Sequence, residues 1–238
     1  MNRQALIVLV AALALVATTA RLGFWQLDRA TQKRALQAAT DARGALPPLP
    51  AEELAREPTQ AAAQVHRRTV LQGHWLSRAT VFLDNRQMRG QPGFFVVTPL
   101  VLADGSAVVV QRGWLPRNLR ERSAIAAFDT PAQTVQVSGR IAPAVSRLYD
   151  FGTEAAGPIR QNLNLAAYAL EVGASLRPLA LIQDDDVPPV ADGLIRQWHR
   201  PSVGVHTNYG YAFQWFALAA LTLGLYVWFQ LILPRRRR

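Results

Sequence analysis

Two charge-free apolar runs bracket this chain, and any fold has to place both. Residues 4–20 carry no charge, and neither do residues 209–233, which are followed by Pro234 and then Arg235, Arg236, Arg237 and Arg238. At a helical rise of ~1.5 Å per residue the second run spans ~37 Å, more than the ~30 Å hydrocarbon core of a bilayer. The first run shares features with a secretory signal peptide: a basic start at Arg3, an apolar stretch, and small residues at 17–20. Apolar character resumes after Arg21, however, with Leu22, Gly23, Phe24, Trp25 and Leu27. A helix over residues 5–27 therefore crosses the membrane with an interfacial tryptophan and Arg21 snorkelling to the surface.

Basic residues beside membrane ends stay on the cytoplasmic side, whereas long translocated domains are largely exempt from that rule. The sequence thus predicts both termini inside and the middle domain outside. Arg3 and the four terminal arginines account for half of the net charge of +10, so half of that charge is a topology signal. The remaining arginines are scattered among acids without a stacking module, which argues against nucleic acid as a partner. With no cysteine, the chain has neither disulfides nor thiolate metal ligands, a composition compatible with an oxidising compartment.

Between the runs, residues 28–64 read as a short polar helix, or an extension of the first span, followed by a linker that Pro47, Pro48 and Pro50 break away from it. The folded body is expected over residues 65–205. Residues 68–75, 79–85, 94–101 and 107–114 are β-branched or aromatic runs set off by turn residues, and Asp104-Gly105 reads as a hairpin turn. Residues 119–128 and 165–172 read as short helices, 134–141 and 179–183 as strands. The fold class expected is a membrane protein: two transmembrane α-helices, over 5–27 and 209–233, flanking a mostly antiparallel β (α+β) extracytoplasmic domain.

Enzymatic chemistry is hard to find. There is no glycine-rich phosphate loop ending in Lys-Ser/Thr, no Gly-x-Ser-x-Gly elbow and no His-Glu-x-x-His zinc helix. Lys33 is the single lysine. The run Asp184, Asp185 and Asp186 lacks the spaced oxygen ligands of a calcium loop and reads as a solvated turn. His66 and His74 alternate with apolar residues on a strand. His199 and His206 precede the second span, near the outer interface, where an imidazole either wets the helix start or serves as an axial haem ligand.

Several segments resemble one family. Gly23-Phe24-Trp25-Gln26 with Arg29 and Lys33 is similar to the signature that closes the first span of the Surfeit-locus cytochrome c oxidase assembly proteins. So are Leu83-Asp84-Asn85-Arg86, Gly93, Pro99-Leu100 and the stretch from Val110 through Arg112-Gly113-Trp114 to Pro116, and so is Tyr211-Ala212-Phe213-Gln214-Trp215-Phe216 at the second span.

The resemblance implies a non-enzymatic factor in a bacterial inner membrane that assists haem a insertion into the catalytic subunit of cytochrome c oxidase, with membrane lipid, that subunit and haem a synthase as partners. An alternative is a membrane-anchored scaffold that binds oxidase subunits without binding haem. It also implies that haem a is bound transiently through a histidine at the start of the second span. In this chain the family position is Asn208, and the histidine, His206, lies two residues earlier. Those two positions point to nearly opposite faces of a regular helix. The expected haem contacts are therefore His206 as iron ligand, Trp25, Tyr211 and Trp215 beside the porphyrin, and Arg29 and Lys33 at its propionates.

Overall fold

The structure is a computed structural model that describes residues 3–118, 120–121, 124–145, 148, 157–185, 191–198 and 204–236. The chain forms two compact units, one made of Met1–Ala39 with His199–Arg238 and the other of Thr40–Trp198. His199, Asp186 and the last two arginines lie outside the described residues.

The first unit holds two long helices. Helix α1 runs unbroken through Arg3–Gly44, because alanine, leucine, glutamine and arginine fill it and proline is absent until Pro47. Of the two readings of the polar segment after residue 28, the helix extension is the one that forms. Helix α4, Val205–Val227, passes through a π-helical segment, Trp228–Ile232, into a last short helix, α5, Leu233–Arg236. Both stretches are long and apolar enough to cross a membrane.

The second unit is built on seven strands: β1 Arg68–Trp75, β2 Val81–Met88, β3 Gln91–Leu102, β4 Ala107–Pro116, β5 Val135–Ala142, β6 Ile159–Arg160 and β7 Leu176–Gln183. Their order is β1-β5-β7-β4-β3-β2-β6, and β1 also pairs with β3. That extra ladder, from Gly73 opposite Leu102 to Trp75 opposite Leu100, closes β1, β5, β7, β4 and β3 into a ring. Most pairings are antiparallel; β4 with β7 and β2 with β6 are parallel. Five strands in this order, with the third and last of the ring side by side and parallel, have the connectivity of an OB-type Greek-key barrel.

Alternation along the ring strands sorts the side chains. Leu71, Leu100, Val110, Val137, Ile141 and Leu181 face one shared interior, drawn from all five strands. Leu49, Leu54, Ala55 and Ala61 pack into the same cluster. They come from the proline-bounded segment and from α2, Pro58–Gln64, so the stretch expected to be a linker plugs the barrel. The opposite face of β4 and β7 is covered by α3, Leu165–Val172, whose Tyr168 is buried against Val81, Val97 and Val109. Asn164 caps α3 by accepting from the N–H groups of Ala166 and Ala167, and Gly173 closes it at φ 63°.

The hairpins follow their turn chemistry. Arg89 and Gly90 both take positive φ, joining β2 to β3 through a two-residue turn. Gly105 turns β3 into β4 at φ 77°. There Asp104 accepts from the Ser106 hydroxyl at 2.6 Å and its N–H at 3.0 Å, and Arg177 donates to Asp104 at 2.8 Å. The Ser106 bonds, followed by the Arg177 charge, pull the Asp104 carboxyl down to about 2. Arg177 also donates to the Leu54 carbonyl at 2.7 Å, which ties the plug to the hairpin.

No helix forms over the described part of residues 119–128. Ile125 and Phe128 instead pack from irregular chain onto the barrel wall against Val96, Leu115 and Leu194.

The motif-like residues of the barrel have structural work. Trp114 is 2% exposed and donates its indole N–H to the Arg86 carbonyl at 2.8 Å. A Cβ at Gly93 would come within 2.4 Å of that indole, so glycine is required there. Arg112 is 1% exposed and donates to the Asp129 carbonyl and the Thr130 hydroxyl, both at 2.7 Å, while its guanidinium lies 4.5 Å from the Trp75 ring centroid. Asp192 pairs with Arg112 at 3.5 Å and with Arg196. Burial pushes Arg112 down to about 10 against the opposing pull of Asp192, so it stays charged at neutral pH. Asp184 pairs with Arg68 at 2.8 Å, which accounts for the first member of the aspartate run.

Candidate functional site

The helix pair carries the residues that the sequence singled out, and its geometry starts from spacing. Along α1 the shielded positions recur at intervals of three and four: Val16, Thr19, Gly23, Gln26, Ala30 and Lys33. Along α4 they are Val205, Asn208, Ala212, Trp215, Ala219 and Thr222. An alternating three–four repeat is the seam of two helices that coil around each other, and small side chains at it let the backbones approach. Gly23 is where that matters most, since a Cβ there would lie 2.7 Å from the Phe216 ring. Phe24 meets Phe216 edge to face at 5.1 Å between centroids.

At one end of the apolar length the seam turns polar. Lys33 Nζ donates to Asn208 Oδ1 at 2.7 Å, and Asn208 Nδ2 donates to Gln26 Oε1 at 2.6 Å. One amide thus holds two residues of α1 spaced two turns apart, and Arg34 adds a stack on the Tyr209 ring at 5.1 Å. These three polar side chains form a clamp that fixes how far α4 is slid along α1.

The expected haem contacts do not converge on that clamp. Lys33 is in it and Trp215 lies in the seam, half-buried. Trp25, Tyr211 and His206 are exposed, and Arg29 is exposed with its guanidinium donating to Gln32 at 3.1 Å. Because α4 begins at Val205, His206 sits on its first turn and not on irregular chain. It faces away from Asn208, on an outer stripe with Gly210, where a Cβ would meet nothing, and with Phe213, 74% exposed.

This arrangement tests the fit of a haem. The seam does not fit an axial ligand: Asn208 offers an amide, and both of its ends are engaged. His206 does fit, since its imidazole is unburied and the stripe below it, with Gly210 and Phe213, is apolar and exposed. Lys33 and Gln26 as the two partners of Asn208 were not foreseen from sequence; the signal available was the three–four spacing that puts positions 26, 33 and 208 on facing seams.

The clamp predicts an outcome of its own. Asn208→Leu is expected to leave the Lys33 ammonium without its charge-assisted bond and to expose it. Because Lys33 is the only lysine, its acylation by an amine-directed reagent should rise several-fold over the intact protein, read by peptide mass spectrometry. Equal labelling of both proteins would mean that the clamp does not persist in the membrane.

A family model described as the SURF1 family matches residues 13–220. Over 95 residues, 40% of this chain, it is 32% identical to the cytochrome oxidase assembly protein SHY1 of Saccharomyces cerevisiae, and that match spans only 24% of the yeast protein. The SURF1-like protein of Rickettsia bellii is 24% identical over 208 residues, 86% of this chain and 83% of that one. The SURF1-like protein of Rickettsia conorii is 22% identical over 209 residues, 87% and 84% of the two chains. Since the model's match runs from inside the first apolar helix, through the whole barrel, to inside the second, this chain belongs to the SURF1 family and is a membrane protein whose two transmembrane helices flank a mostly antiparallel barrel domain.

Proposed function

We propose that this protein is an assembly factor for cytochrome oxidase, working where haem a enters the catalytic subunit rather than catalysing a reaction itself. Family membership and the name of the yeast relative support the oxidase role. The observation that carries the haem reading is the outer stripe of α4, where His206 stands exposed above Gly210 and Phe213 while the opposite face is closed against α1. A farnesylated haem is too apolar to travel through water, so a carrier has to present an imidazole beside lipid-facing helix surface. On this reading His206 holds the iron, Phe213 packs beside the porphyrin, and the clamp keeps the helix pair rigid beneath them. The haem, when bound, is cargo.

The protein lies in a bacterial inner membrane with both termini cytoplasmic and the barrel periplasmic. The terminal arginines and the bacterial relatives support that orientation and location. The oxidase catalytic subunit and haem a synthase are the partners this reading requires.

Engagement of Asn208 inside the seam favours a second reading, a scaffold that binds oxidase subunits without touching haem. The reduced-minus-oxidised haem a spectrum of membranes decides between them. A strain lacking the gene should lose most of that signal and regain it with the wild-type copy. His206→Ala, present at normal level, should restore less than a tenth if His206 carries haem, and should restore it fully if the protein is a scaffold. A normal spectrum without any copy of the gene would overturn both.

A further inference from the structure

The apolar length of α1 before Arg21 is too short for the bilayer it crosses. Residues 4–20 rise ~25 Å, against a hydrocarbon core of ~30 Å. The partner helix does not call for a thinner membrane, because no acid, lysine or arginine occurs between Val205 and Pro234. With Arg3 held at one surface, the backbone of Arg21 lies ~3 Å inside the other. Trp25, one turn further along and 52% exposed, marks that surface.

Arg21 is exposed and lies nearly opposite Gly23, the seam position that Phe216 covers, so it faces outward from the pair. Nothing in the pair neutralises it. The residues from Val205 to Arg236 include no acid, and the next acid along α1, Asp28, is ~10 Å further on and accepts from Gln32 Nε2 at 2.8 Å. Among the described residues the Arg21 guanidinium has no hydrogen bond or ion pair. A charge at this depth is costly unless its head group reaches water or a counter-group outside the helix pair.

We infer that Arg21 is a phospholipid-binding residue that takes a lipid phosphodiester of the domain-side leaflet and thereby sets the depth of the helix pair. A guanidinium matches two phosphate oxygens at once, and its aliphatic stem lies in hydrocarbon while the head reaches the surface. Phosphate is present at that level around the whole helix, whereas an acidic residue on another protein would have to be docked there. Holding Arg21 at the phosphate layer also holds Gln26, Lys33 and Asn208 just outside the hydrocarbon, where a clamp built on an ammonium group belongs.

The absence of cysteine makes the test direct. In the full-length chain, Thr18→Cys, one turn from Arg21 and exposed, carries a spin label whose depth is read by collisional relaxation. In phosphatidylglycerol vesicles, adding Arg21→Leu is expected to sink the label by about one turn, ~5 Å, and Arg21→Lys to leave it in place. In vesicles of a galactolipid that lacks phosphate, the label should sit at one depth with or without Arg21→Leu. Unchanged Lys33 acylation in each variant confirms that the helix pair is intact. Equal depths in phosphatidylglycerol overturn the inference, and they point to a protein acid if Arg21→Leu also releases a co-purifying membrane protein. A shift of the same size in galactolipid overturns it too, because hydration alone would then account for the effect.

Discussion

Asp192→Ala is expected to destabilise the barrel by about 3–5 kcal/mol, the scale for removing one partner of a buried ion pair. Asp192 is 5% exposed and is the carboxylate between two guanidinium groups, Arg112 at 1% and Arg196 at 5% exposure. Without it, two positive charges face each other in a site that water does not reach. Arg112 keeps its neutral acceptors on Asp129 and Thr130 and its stack on Trp75, so the loss is chiefly electrostatic. Asp192→Asn retains an acceptor for the Leu194 N–H, which Asp192 holds at 3.1 Å, and should cost clearly less. Urea unfolding of the full chain in detergent, followed by near-ultraviolet circular dichroism, checks the pair of variants. A midpoint for Asp192→Ala matching that of the wild type would show that Arg112 and Arg196 do not depend on this carboxylate.

Trp114→Ala should have an effect of the same order, about 3–5 kcal/mol, by a different route. The indole fills the space that the absence of a side chain at Gly93 opens, and its N–H satisfies the Arg86 carbonyl. Truncation leaves a cavity and removes the indole donor from the Arg86 carbonyl together. The two penalties separate by comparison with Trp114→Phe, which keeps most of the volume and loses only the hydrogen bond, a change of about 1–3 kcal/mol. If Trp114→Phe proved as damaging as Trp114→Ala in the same unfolding measurement, the bond and not the packing would dominate.

How far the sequence could be read depended on what each signal encodes. Strands β1 and β4 and helix α3 were legible almost residue by residue, because β-branched runs, a period of two and the Gly173 stop are local properties. Ring closure was not, since the ladder between Gly73 and Leu102 joins residues whose neighbours give no hint of pairing. The plug was misread because Pro47, Pro48 and Pro50 are loop residues whether or not Leu49 and Leu54 between and beyond them are buried. Residues 119–128 have helix-forming alanines, but Ile125 and Phe128 pack on the barrel wall from irregular chain, a tertiary contact that local propensity does not encode.

In the site, the two apolar helices were visible from charge, and the segment around Lys33 from its resemblance to the family signature. The position of Asn208 was visible too, as the place where a histidine was expected. Its partners were not, because a hydrogen bond across two helices depends on their relative register, and register is held jointly by Gly23, Phe216 and the seam between them.

The strand order sets a timetable for synthesis. β7 lies between β4 and β5 in the ring but is the last ring strand to be made, so both neighbours leave the ribosome with one edge unsatisfied. Between the end of β5 at Ala142 and the end of β7 at Gln183, translation at ~5–20 residues per second takes several seconds. During that interval the nascent domain is an open sheet with two bare edges, tethered to the membrane by α1 while the second span is still unmade.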